Sequence, residues 1–208
     1  MRICVSRLEP VGSRAKPTAA TWGIMSKQTD RQHLLSLRDR IPKNVHAEAS
    51  ATICHQLIAL LAPLHGRFGS YLAVGSEVNL DALHDAIWSA GGALFVPKIR
   101  SQTHMDFVAL NGADELIAGQ YGIQTSIAEE PTPIETFDAL LIPCSGFDRR
   151  GHRLGMGGGY YDRRLAEQSP GAPLRIGVAF ALQEAVVEPE PWDQPFDLIV
   201  SECEIIRP

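Results

Sequence analysis

The sequence predicts an α/β protein, a mostly parallel sheet flanked by helices in a three-layer sandwich, and three observations carry that reading. Short apolar runs bounded by glycine and proline alternate with stretches of helical periodicity. The clearest run, residues 137–142, is closed by Pro143 and leads into a glycine-rich segment. No internal repeat or interdomain linker interrupts the pattern, and 208 residues that are 45% hydrophobic and 21% charged suffice for one substantial core.

Taken in order, residues 1–24 contain Arg2, Arg7, Arg14 and Lys16 but lack the compact apolar run of a secretory signal. Small residues and prolines dominate from Pro10 to Gly23, so this stretch reads as a disordered extension. A start codon assigned too far upstream would explain it as well as a function would. Met25 opens the single folded domain, residues 25–208. Residues 27–40 suit a short helix, and Pro42 marks a break before a second one. There Val45, Ala49, Ile53, Leu57 and Leu61 recur every four residues, and Ile58 and Leu60 widen the apolar stripe. Tyr71, Leu72 and Val74 form a strand-like run. Asn79 is placed to cap a helix carrying Leu80, Leu83 and Ile87, which Gly91 and Gly92 end. Leu94, Phe95 and Val96 make a buried strand closed by Pro97, and residues 105–110 make another. A helical pattern follows Gly159, then come apolar runs at 176–180 and 198–200. This alternation is Rossmann-like and places ligands at the carboxyl ends of the strands.

The formal charge of −5 gives no overall pull toward nucleic acid or an anionic membrane, although a local basic cleft can still hold phosphates. No apolar stretch approaches the about 20 residues that span a bilayer. Cys4, Cys54, Cys144 and Cys203 lie far apart, form no metal-ligand spacing, and read as reduced thiols in a cytoplasmic protein.

The chemistry concentrates after Pro143. Residues 144–154 lead into Gly155, Met156, Gly157, Gly158 and Gly159, followed by Tyr160, Tyr161, Asp162 and Arg163. Glycines let backbone amides approach an anion, and Arg153 offers a planar, permanently charged fork. Tyr160 stands where GxGxxG needs its last glycine, and no GxxxxGK[ST] occurs, so the dinucleotide and P-loop readings fail. Asp162, near a helix start, suits either capping or magnesium coordination. Asp193 reads alone as a turn residue, or as a second metal ligand.

The segment from Phe147 and Asp148 through Gly151, Arg153, Leu154, Gly155, Gly157 and Gly159 to Tyr160, Tyr161 and Asp162 resembles the signature of the 5-formyltetrahydrofolate cyclo-ligase family. Supporting likeness appears in order at Tyr71 and Leu72 through Glu77, at Val96 and Pro97 with Met105, Asp106 and Phe107, at Gly122 and Ile123, and from Gln183 to Trp192 and Asp193. It spans about residues 27–203. The resemblance implies an ATP- and Mg2+-dependent enzyme acting on 5-formyltetrahydrofolate, free or polyglutamylated, with no obligate protein partner. It implies catalytic roles for Arg153 and Tyr160. ATP contacts are expected from Lys27, Arg31, Arg153, Leu154 and residues 155–161, meaning Gly155, Met156, Gly157, Gly158, Gly159, Tyr160 and Tyr161. Folate contacts are expected from Leu72, Glu77, Met156, Gly157, Gly158, Gly159 and Tyr160. Metal ligation falls to Asp162 and Asp193.

Met156 and Gly158 stand where relatives can carry basic residues, so phosphate binding leans on Arg153, amides and metal. Lys98 reads either as a compensating cation or as a solvated strand-end lysine. His104 and His152 are acid-base candidates outside the resemblance. Tyr71, Met105 and Phe107 read first as core. A sugar-phosphate isomerase or acyl transferase on a related fold, and a noncatalytic folate- or nucleotide-binding protein, are the competing functions.

Overall fold

Side chains alternate across a strand, and here that alternation sorts the core into two layers. The computed structural model describes residues 27–112, 116–166 and 173–208. The expected extension and the domain start at Met25 lie outside the described residues. The chain runs through α1 (Lys27–Asp39), α2 (Lys43–Leu61), β1 (Arg67–Gly69), α3 (Asp81–Ser89), β2 (Ala93–Ile99), β3 (Met105–Leu110), β4 (Leu116–Ala118) and β5 (Gln124–Ser126). It continues through β6 (Ala139–Pro143), β7 (Gly146–Phe147), β8 (Arg153–Leu154), α4 (Tyr160–Ala166), β9 (Leu174–Val178), β10 (Leu198–Val200) and β11 (Ile205–Ile206). Among the described residues, a seven-stranded sheet has the order β11-β10-β9-β6-β1-β2-β3. Neighbours from β10 to β2 are parallel, and β3 and β11 close the edges antiparallel. The mostly parallel α/β sheet predicted from the sequence is present.

Along β6, Ala139 and Leu141 face a core shared with Ile53, Leu57, Leu83 and Ile87 of α2 and α3. Leu140 and Ile142 face the other core, with Phe107, Phe137, Phe147, Phe196 and Leu165. Such two-sided burial is why the central strands read as continuous apolar runs. Among the described residues, the second face is covered by α4 and loop aromatics. Helix α1 packs beyond the sheet's carboxyl end, where Leu34 meets Leu154, Ala185 and Val187.

Three local expectations are corrected. The run at 71–74 is a loop, and the strand precedes it as β1. The Ser70 amide still donates to the Phe95 carbonyl, but the buried Tyr71 donates its hydroxyl to the Val78 carbonyl and the chain turns back there. Pro97 does not close β2, which continues to Ile99. Beyond Gly69 there is no β1 residue to pair with, and Pro97 sits opposite Phe107 of the edge strand, a position that tolerates a missing N–H. Of the cysteines, Cys54 and Cys144 are free and buried. Asn79 is not the N-cap: α3 starts at Asp81 with Leu80 in that place and no side-chain cap bond, and the Asn79 side-chain oxygen accepts from the Asp81 amide at 2.8 Å from one residue further out. Among the described residues no helix is long and apolar enough to cross a membrane.

From β1 the chain crosses to β2 on one side, whereas β6 lies on the other. The topological switch point therefore falls between β1 and β6, and the segments leaving their carboxyl ends begin at Ser70 and Cys144.

Candidate functional site

The glycine loop leaves β8 and reaches α4 through exposed Met156, Gly157 and Gly158. Gly157 and Gly159 have φ of +92° and +65°, where a side chain would be strained, so the turn depends on their lack of Cβ. Two guanidinium groups hold its carbonyls. Arg31 Nε donates to the Gly155 oxygen at 2.6 Å, and Arg163 Nη2 donates to the Gly158 oxygen at 2.7 Å. Lys27, one turn before Arg31, reaches Asp193 Oδ2 at 3.3 Å and Glu190 at 3.4 Å. The Lys27 and Arg31 pair thus comes to the loop from the opposite end of the chain.

Arg153 lies beneath the loop rather than on it. Its side chain is 4% exposed, and Nη2 pairs with Asp162 Oδ1 at 2.5 Å while Nη1 donates to the Gln194 carbonyl. Burial lowers its pKa and Asp162 opposes that shift. The Gln194 amide also donates to Asp162 Oδ1, at 3.3 Å, which brings the Asp193 segment alongside. Asp162 and Asp193 therefore flank one buried guanidinium, and each carboxylate has a cation partner. Among the described residues no group of three or more His, Cys, Asp or Glu is arranged to hold a metal. Two carboxylates are no metal cage, but they fit Mg2+, which keeps several waters and takes phosphate oxygens as its remaining ligands.

Across from this loop, the segment after β1 carries Glu77, whose Oε2 accepts from the Val74 amide at 3.0 Å. Burial raises the Glu77 pKa and Arg38 pulls it down. Burial also pushes the Cys144 thiol up to about 12, with Arg153 and Arg38 opposing and Glu77 reinforcing. Tyr161 is likewise raised, by burial and then by Glu77. Glu77, Tyr161, Cys144, Arg38 and Arg153 thus share one electrostatic neighbourhood between the two loops.

Tyr160 turns its hydroxyl outward to the Ser101 carbonyl at 3.0 Å, and the Tyr121 hydroxyl bonds to it. Leu72 packs against the α2 and α3 core and lines a cavity of about 170 Å³ with His84 and Trp88, apart from the glycine loop. Leu154 is buried against Leu34. Lys98 is not the solvated strand-end lysine. It is buried, and its ammonium binds the Ser126 and Ala128 carbonyls and Glu129, which clamps the segment after β5. His104 and His152 pair with Asp106 and Asp148. Met105 and Phe107 are core, as ranked.

Sequence reasoning missed Arg38, Gln194 and Tyr121. Arg38 had a signal, since Asp30, Leu34 and Arg38 recur every four residues and are the buried positions of α1. Gln194 had none, because it acts through its backbone.

Comparison with known proteins gives one consistent answer. The 5-formyltetrahydrofolate cyclo-ligase family pattern matches residues 24–202. A 5-formyltetrahydrofolate cyclo-ligase of Haemophilus influenzae is 25% identical over 181 residues, 84% of this chain and 97% of that protein. The solution structure of Aquifex aeolicus 5,10-methenyltetrahydrofolate synthetase superposes with a TM-score of 0.76 at 27% identity, covering 88% of this chain and 93% of that one. The Mycoplasma pneumoniae 5,10-methenyltetrahydrofolate synthetase gives 0.69 at 26% identity, covering 86% and 99%.

Proposed function

The chain belongs to the 5-formyltetrahydrofolate cyclo-ligase family, and from that premise we propose that it closes 5-formyltetrahydrofolate to 5,10-methenyltetrahydrofolate using ATP and Mg2+, with release of ADP and phosphate. The observation that carries this reading is the pairing, at the switch point, of an open glycine loop suited to phosphate with a half-buried carboxylate suited to a heterocycle.

The formyl oxygen attacks the terminal phosphorus of ATP as the bond to ADP breaks, which converts a poor leaving group into a phosphate ester. N10 then adds to the activated carbon and loses its proton. Phosphate departs with the former formyl oxygen, leaving carbon bonded to N5 and N10. No covalent nucleophile from the protein is required; the work is alignment and charge neutralisation. Arg31 and Arg163 hold the loop by its carbonyls, which leaves its amides to meet the triphosphate. Arg153 supplies a fixed positive charge under the loop and fixes Asp162. Lys27 and Arg31 serve the nucleotide side, with Leu154 and Tyr161 packed behind the loop. Glu77, Leu72 and Tyr160 serve the folate side. Bound Mg2+, held by Asp162 and Asp193, would neutralise and align the terminal phosphates. The protein works in the cytoplasm, where ATP and reduced folate are available, takes free or polyglutamylated folate, and needs no protein partner. Residues 25–208 suffice.

Purified protein mixed with 5-formyltetrahydrofolate, ATP and magnesium is expected to form methenyl product and ADP in equal amounts. Folded protein that binds both ligands and forms neither product would support a noncatalytic binding protein instead. Heavy oxygen placed in the formyl group is expected in inorganic phosphate; its appearance only in water would rule out phosphoryl activation.

A further inference from the structure

Helix α1 touches both loops. Arg31 holds the glycine loop at Gly155, and Arg38, seven residues or about 10 Å further along the axis, holds the loop that carries Glu77. Arg38 is only 6% exposed. Its Nε donates to Ser76 Oγ at 3.0 Å, and the Ser76 hydroxyl in turn donates to Asp39. From α2, His46 Nε2 lies 3.2 Å from the Ser76 carbonyl oxygen and 3.0 Å from that of Glu77. Three side chains on two helices thus grip two consecutive residues of a loop whose preceding positions, 73–75, are exposed. A buried guanidinium carries a large desolvation penalty that packing of α1 alone does not require, since leucine at this position would fill the same stripe.

We propose that Arg38 is a positioning residue for the folate substrate: docked on Ser76, it fixes the Glu77 loop so that the carboxylate faces the folate site in its ionised form. The proposal rests on the reading of Glu77 as a folate contact. Besides Arg38 from α1, the groups around Glu77 are Tyr71 after β1, Cys144 after β6 and Tyr161 from α4, with His46 of α2 on its carbonyl. Of these, Arg38 is the cation that opposes protonation of the carboxyl. Without it Glu77 takes up its proton at higher pH, so the acid limb of kcat/KM for folate moves upward.

Steady-state kinetics on the full chain test this. Arg38→Met is expected to raise KM for 5-formyltetrahydrofolate about tenfold while KM for ATP stays within about twofold. The acid limb should shift to higher pH, and Arg38→Lys should recover part of both effects. Equal changes in the two KM values, or an unshifted acid limb, would overturn the proposal. If Arg38→Met does not fold, Ser76→Ala removes the docking hydroxyl and leaves the helix intact, with an expected rise in folate KM of about threefold; no rise overturns the proposal. Parent protein that makes no methenyl product would sink the functional reading itself, whereas active parent protein with unchanged folate KM in the variants sinks only the role of Arg38.

Discussion

The loop after β6 and the loop after β1 leave neighbouring parallel strands at the same end of the sheet, yet they are built by opposite means. The first offers backbone: glycines at positive φ, exposed, with carbonyls pinned by arginines from two helices. The second offers a side chain, Glu77, and spends Arg38, Ser76 and His46 on holding it still. A phosphate presents several equivalent oxygens that any nearby amide can meet, so its loop needs access more than orientation. A ring with a defined hydrogen-bonding edge needs one group in one direction, which requires support from behind.

Four experiments sharpen that contrast, taken from the largest expected effect to the smallest. Arg153→Lys keeps the charge but cannot serve both Asp162 and the Gln194 carbonyl as a fork, so kcat/KM for ATP should fall about a hundredfold. A loss under about threefold would remove Arg153 from the phosphate side.

His84 tests the root of the other loop, because its Nε2 bonds Ser70 Oγ at 2.8 Å just beyond β1. Burial lowers its pKa from 6.5 to about 4, against Asp81 and Asp85. The unfolded chain therefore binds the proton near pH 6.5 and the folded chain only near 4. Stability is complete above about 6.5 and falls as pH drops toward 4, by about 2 kcal/mol at pH 5. Urea midpoints at pH 7 and 5 should show this loss in the parent and a flattened one in His84→Gln; equal losses would clear His84 of it.

Gly157→Ala adds a side chain at φ +92°. About a tenfold drop in kcat/KM for ATP is expected, with a smaller change in folate KM and a Tm lower by a few degrees from the strained backbone. A matching change in folate KM would mean that the two loops are not separable. Asp193→Asn should raise the magnesium concentration for half-maximal rate about fivefold. Little stability should be lost, since its Lys27 pair is partly solvated, and an unchanged magnesium requirement would take Asp193 out of the metal site.

Much of this molecule was legible in its sequence where the signal was local. The four-residue spacing in α2 and the run at 198–200 became the elements expected of them. The errors fell where a partner decides the outcome. Tyr71 and Leu72 have strand-like residues, but Tyr71 satisfies itself on Val78 and the chain turns. Pro97 reads as a stop, yet β2 passes through it because the edge strand makes no demand there. Short pieces such as β4, β5, β7, β8 and β11, two or three residues each, carry too little pattern to be read.

The sequence by itself determined the α/β class, the glycine loop after a buried strand, and the family, because these depend on residue type and on spacing along a short stretch. Only the tertiary structure decided which charge meets which. Asp162 lies nine residues from Arg153, and Lys27 is 166 residues from Asp193. Both contacts follow from sheet order and from where α1 docks, which the helix's own periodicity does not state. The same docking turned Arg38 from one basic residue among several into the buried support of Glu77, since burial is set by what packs on a side chain and not by its neighbours in the chain.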